Sequence, residues 1–155
     1  LKVKKIILAS HGTDGARAAE LAAIDLCVEK GASLHQLLVV PDFWKGMMGD
    51  DWLNNAVTQI RFGNYVESQL AQEAAAELER MTQACDQAGI NYSNTVRLGK
   101  PAICLLDVAG QDDFGLAVIG SPRPKGVEGY RSRMDLELLA RSLTMSLIVV
   151  PYPKP

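Results

Sequence analysis

"IILASHGTDGARAAELA", residues Ile6–Ala22, decides how the chain folds. It opens apolar, passes through "SHGTDG" (Ser10–Gly15), and turns alanine-rich. An apolar run too short for a helix, then turn formers, then helix formers, reads as strand, tight turn and helix start. The strand extends back to Val3 and is nearly continuous in apolar residues after the lysines, as a strand buried on both faces should be. Helical pattern runs from Asp14 to Lys30, with Leu21, Ile24 and Val28 as the stripe expected to face a core. Gly31 stands just past its end, where glycine commonly closes a helix.

The same alternation continues outward. "SLHQLLVV" (Ser33–Val40) is a second strand stopped by Pro41. Residues 41–64 break the rhythm with both tryptophans and two methionines, a long variable segment suited to an interface or a lid. From Tyr65 to Ala88, Val66, Leu70, Ala74, Leu78, Met81 and Cys85 mark a core-facing helix, ended by Gly89. "INYSNTVRL" (Ile90–Leu98) is a third strand, polar enough for a sheet edge. A helix with Pro101 in its first turn closes at Gly110. "FGLAVIG" (Phe114–Gly120) is a buried fourth strand, Met134–Leu143 a helix, and "SLIVV" (Ser146–Val150) the last strand. Strands alternating with helices at this spacing predict a parallel sheet with helices on both faces, in one domain over 1–155. Ligands in such sheets bind beyond the carboxyl ends of strands where strand order reverses, which singles out the loops after Ser10 and Gly120.

Composition narrows the function. The chain has 155 residues, 48% hydrophobic and 22% charged, with a formal net charge of −2. That is globular composition without the basic field a nucleic-acid binder carries. No apolar run reaches the roughly 18 residues of a membrane helix, and the N-terminus lacks the long apolar stretch of a signal peptide. Cys27, Cys85 and Cys104 are scattered through helical patterns without metal-ligand spacing, so they read as core residues of a cytoplasmic protein. No metal site is expected.

Two loops invite chemistry. In "SHGTDG", glycine lets a ligand approach the backbone, and Thr13 or Asp14 suits a helix cap. Ser10, Gly12 and Asp14 also match part of the S-G-G-x-D-S pyrophosphate loop of adenylating enzymes, with His11 and Gly15 in place of Gly and Ser. A plain turn with an Asp cap is the competing reading. A catalytic triad around His11 would need Ser10 and Asp14 to converge from one tight turn, so no catalytic residue is assigned. His35, the other histidine, lies mid-strand. In "IGSPRPKGVEGYRSRMD" (Ile119–Asp135), Arg123, Lys125, Arg131 and Arg133 gather four cations after a buried strand, an anion site or a solvated loop.

Taken together, "KKIILASHGT", "GASLHQLLVV", "VRLGKPA", "DDFGLAVIGS" and "RSLTMSLIVVP" resemble, in order and spacing, a single-domain universal stress protein. The resemblance implies a Rossmann-like, adenine nucleotide alpha hydrolase-like fold and a non-enzymatic role in the stress response. It also implies a homodimer paired through Leu147, Ile148, Val149 and Val150. Family members that bind ATP carry G-x2-G-x9-G-[ST] after the fourth strand. Gly120 matches the first glycine and Gly126 a further one, but Arg123 replaces the second, and Arg133–Met134 replace the final pair. The nucleoside-contacting Asp of those members is His11 here. A side chain at the second glycine fills space that phosphate needs, or substitutes a guanidinium for backbone donors. The expectation is a regulatory protein that does not hold ATP in the usual way and acts through unidentified protein partners, away from nucleic acid and membranes. The alternative is an ATP or AMP sensor of the same fold, and an adenylating enzyme ranks third. The nucleotide or anion candidates are Ser10, His11, Gly12, Thr13, Val40, Gly120, Arg123, Lys125, Gly126 and Arg133.

Overall fold

A computed structural model describes residues 3–10, 14–40, 72, 75–98, 100–121 and 134–151. In chain order they form β1 (Lys5–Ser10), α1 (Asp14–Lys30), β2 (Ser33–Val40), the helical residues 75–88 (α2), and β3 (Tyr92–Leu98). Then come α3 (Pro101–Ala109), β4 (Leu116–Gly120), α4 (Leu136–Ser142) and β5 (Ser146–Val150). The strands make one five-stranded sheet in the order β3-β2-β1-β4-β5. Every pairing is parallel. The expected α/β class with a parallel sheet is therefore what the chain adopts.

Both faces of the sheet are covered, which is why its central strands are mostly apolar. Ile7, Ala9, Leu37, Val39, Ala117 and Ile119 pack against Ala102, Leu105 and Val108 of α3 and Leu139 of α4. Ile6, Leu8, Leu34, Leu116 and Val118 turn the other way, onto Ala19, Ala23 and Cys27 of α1 and Met81 and Cys85 of α2. Alternate residues of one strand thus feed two cores. Polar β3 takes an edge as expected, and β5 takes the other.

Local signals set the ends of the helices. Gly31 (φ 64°) and Gly89 (φ 72°) adopt the left-handed conformation that releases the chain from α1 and α2 at little steric cost. Asp135 caps α4, accepting a hydrogen bond from the Leu138 amide at 3.0 Å. This capping starts α4 at Leu136 rather than at Met134, which is buried beneath it. Three strands begin two residues later than the apolar runs suggest. Phe114, for example, is a buried ring below the sheet, and the β1–β4 ladder opens at Ile6–Leu116.

One expectation is corrected. Of the stripe Leu21, Ile24, Val28, Ile24 is half-buried and packs against the core, but Leu21 is 67% exposed and Val28 57%. Ala19, Ala23 and Cys27 form the buried stripe instead, spaced four residues apart. Small side chains let the helix axis lie close to the sheet, whereas Leu and Val at those positions would hold it away. The segment 41–64 and the helix positions Val66, Leu70 and Ala74 lie outside what is described.

Candidate functional site

Strand order reverses between β1 and β4. From β1 the chain moves outward through β2 to β3, and from β4 it moves the opposite way to β5. The two strands pair from Ile6–Leu116 to Leu8–Val118, so their carboxyl ends, Ser10 and Gly120, emerge side by side. Val40 ends β2 on the far side of β1. Crevices of this kind hold ligands because diverging connections leave the strand ends open. Past Gly120, the Ser121 amide still donates to the Val150 carbonyl at 2.8 Å, so β4 leaves the sheet tied to the end of β5. Of the expected site residues, the backbone of Ser10, Val40 and Gly120 comes together at this end. His11, Gly12, Thr13, Arg123, Lys125, Gly126 and Arg133 lie outside the described residues.

Ser10 does not present its side chain to solvent. It is fully buried on the α1/α2 face, and its Oγ accepts a hydrogen bond from Gln36 Nε2 at 2.8 Å. Gln36 Oε1 in turn accepts from the Tyr92 hydroxyl at 2.5 Å. Burial pushes the Tyr92 phenol up to about 12, so it stays a donor. Nearby, the Glu20 carboxylate of α1 is 2% exposed and meets Arg80 of α2 at 2.5 Å; Arg80 also reaches Glu77 at 2.5 Å. These four partners (Gln36, Tyr92, Glu20 and Arg80) were not among the candidate residues. The one signal in the sequence is Gln36 itself, an amide in the middle of the apolar run "SLHQLLVV".

His35 lies on the opposite face, toward α3. Its Nδ1 is 2.6 Å from Ser93 Oγ, its Nε2 is 2.8 Å from Thr95 Oγ1, and its ring tilts against Phe114 with centroids 5.8 Å apart. Both ring nitrogens are engaged, and burial lowers its pKa, against an opposing pull from Asp112. The unfolded chain therefore binds more protons at this residue than the folded one, so stability rises with pH. The contribution is complete above the ordinary histidine range and is lost as pH falls below it. Urea unfolding between pH 8 and pH 5 should show this decline, and His35→Gln should flatten it.

Burial pushes the Cys27 thiol up to about 11, and Cys85 is likewise raised, so both are inert core thiols. Among the described residues, no three His, Cys, Asp or Glu side chains gather to hold a metal. No helix among them is long and apolar enough to cross a membrane.

Solved structures share this architecture along nearly their whole length. The universal stress protein UspA from Lactobacillus plantarum superposes with a TM-score of 0.69 at 20% identity, covering 97% of this chain and 99% of that one. A universal stress protein in complex with cAMP gives 0.62 at 14% identity, covering 99% of this chain and 100% of that one. A universal stress protein family protein from Arabidopsis thaliana with AMP bound gives 0.55 at 11% identity, covering 97% of this chain and 92% of that one. At such identities the likeness speaks for the fold alone. No curated protein sequence matches the chain. The sequence itself matches the model of the universal stress protein family over residues 2–151, from before β1 to just beyond β5, and with that match the chain belongs to the universal stress protein family.

Proposed function

We propose that the chain is a non-enzymatic regulatory protein of the stress response, working in the cytoplasm as a homodimer joined through β5. One observation carries the reading. Among the described residues β5 pairs only with β4, at the end of the sheet, and it leaves Ile148 36% and Val149 39% exposed. An apolar edge with unpaired backbone groups and no lysine or proline within the strand is a template for another strand, and a second copy supplies one. The sequence argues against ATP held in the usual way, because Arg123 and Arg133–Met134 replace residues that would wrap its phosphates.

A second reading, an adenine nucleotide sensor, is favoured by what two similar structures hold: cAMP in one and AMP in the other. Both ligands are monophosphates and make no demand on a wrap around the outer phosphates. Sedimentation equilibrium tests the first reading. The wild type should sediment as a dimer at micromolar concentration, and an Ile148→Lys/Val149→Lys variant as a monomer, because two lysines on the strand oppose edge pairing. A monomeric wild type at about a hundred micromolar would remove the proposal, given that stable dimers dissociate far below this.

A further inference from the structure

Gln36 is fully buried in β2, followed in sequence by Leu37 and Leu38, and lies in a strand paired on both sides. Burying an amide is unfavourable unless its donor and acceptor are both satisfied. Here they are satisfied in one direction only. The protonated phenol of Tyr92 donates to Oε1, which turns the amide nitrogen toward Ser10, so Ser10 Oγ accepts. The Ser10 hydroxyl proton is thereby directed away from Gln36. Three neighbouring strands, β3, β2 and β1, each contribute one member to this chain, all on one face. It starts at the half-buried first residue of the edge strand and ends on the last residue of β1, beside the β4 end.

A polar chain of this kind is a poor device for stability. Replacing every member of a buried polar network with apolar groups of similar shape is often neutral or stabilising. What such a chain does supply is a defined position. We propose that Tyr92 and Gln36 are positioning residues that hold Ser10, and with it the point where the chain leaves β1, in the arrangement that binds an adenine mononucleotide at the β1–β4 end of the sheet. The proposal rests on the nucleotide reading for its ligand, but not for its geometry.

The test compares the wild type with Ser10→Ala/Gln36→Leu/Tyr92→Phe, Ser10→Ala and Ser10→Thr. Unfolding temperature, AMP affinity by calorimetry, and hydrogen exchange are measured on each. The triple variant should unfold at or above the wild-type temperature. It should bind AMP about tenfold more weakly, the effect of one or two lost hydrogen bonds. Exchange in a peptide covering residues 10–18 should rise about tenfold while the β4 peptide stays unchanged. Ser10→Thr should recover the affinity that Ser10→Ala loses. Equal affinity and unchanged exchange in the triple variant overturn the proposal. If the wild type gives no AMP signal, the nucleotide reading fails, and exchange alone decides: faster exchange confined to residues 10–18 upholds the positioning role, and unchanged exchange removes it. Should the triple variant not fold, Tyr92→Phe, which keeps the ring, is judged by the same criteria.

Discussion

Arg80→Met is expected to destabilise the fold by about 3 kcal/mol at neutral pH, the usual loss when one partner of a buried ion pair is removed. The cost arises at Glu20. Arg80 is 45% exposed on its side chain and can be solvated, whereas the Glu20 side chain is 2% exposed and sealed between α1 and α2. Burial already pushes the Glu20 carboxyl above its ordinary range, and Arg80 is the main opposing influence. Without Arg80, only Arg17 remains on the favourable side, and Glu77 repels. The sign of the pH dependence follows. A carboxyl whose folded pKa is raised binds more protons folded than unfolded, so it weakens the fold as pH rises through the ordinary carboxylate range. The variant's deficit should be larger at pH 7 than at pH 5, because the raised Glu20 carboxyl takes up a proton more readily as the pH falls. Urea unfolding of both proteins at the two pH values measures it. Adding Glu20→Leu to Arg80→Met should restore most of the loss, because the stranded charge is gone. A deficit below about 0.5 kcal/mol, or one equal at both pH values, would mean that Glu20 reaches water by a route the structure does not show.

The same helix shows where reading a sequence succeeds and where it stops. The bounds of α1, β2 and β5 are legible because each is framed by residues with a mechanical meaning, such as Gly31 after α1 and Pro41 and Pro151 after the strands. Met81 and Cys85 could be assigned to the core because their neighbours in α2 are largely polar, leaving one apolar stripe. In α1 alanines and larger aliphatic residues are interspersed, so periodicity favours the largest residues, while the sheet selects the smallest. The site divides in the same way. Its expected location, past Ser10 and Gly120, rests on the parallel sheet that the alternation of elements predicts. The polar chain behind Ser10 joins residues 26 and 56 positions apart, and only the pairing of β1, β2 and β3 brings them together. The sole local trace is the cost of placing Gln36 in an apolar strand. The identity of the helix facing Glu20 had no trace, since a glutamate in an alanine-rich helix reads as a solvated residue.

Leu37→Ala should be the other severe lesion, costing about 2–5 kcal/mol through lost transfer energy and the cavity left behind. Leu37 has no exposed surface, sits in β2 opposite Ala9 of β1, and belongs to the core beneath α3. Alanine neighbours on that face, Ala9, Ala102 and Ala117, offer little side chain to move into the space. Rigid parallel strands on either side limit collapse further, which places the cost toward the upper end of the range. Leu21→Ala removes the same atoms from α1, but Leu21 is 67% exposed and alanine favours the helix, so the change should stay within about 0.5 kcal/mol. Urea unfolding of the two variants at matched protein concentration therefore tests the assignment of the inner face of α1 as well as the core. Equal losses would return Leu21 to an inward position and discard the Ala19, Ala23, Cys27 stripe. A loss at Leu21 that grows with protein concentration would instead place that flank of α1 against a second copy, since only an interface between molecules makes stability depend on concentration.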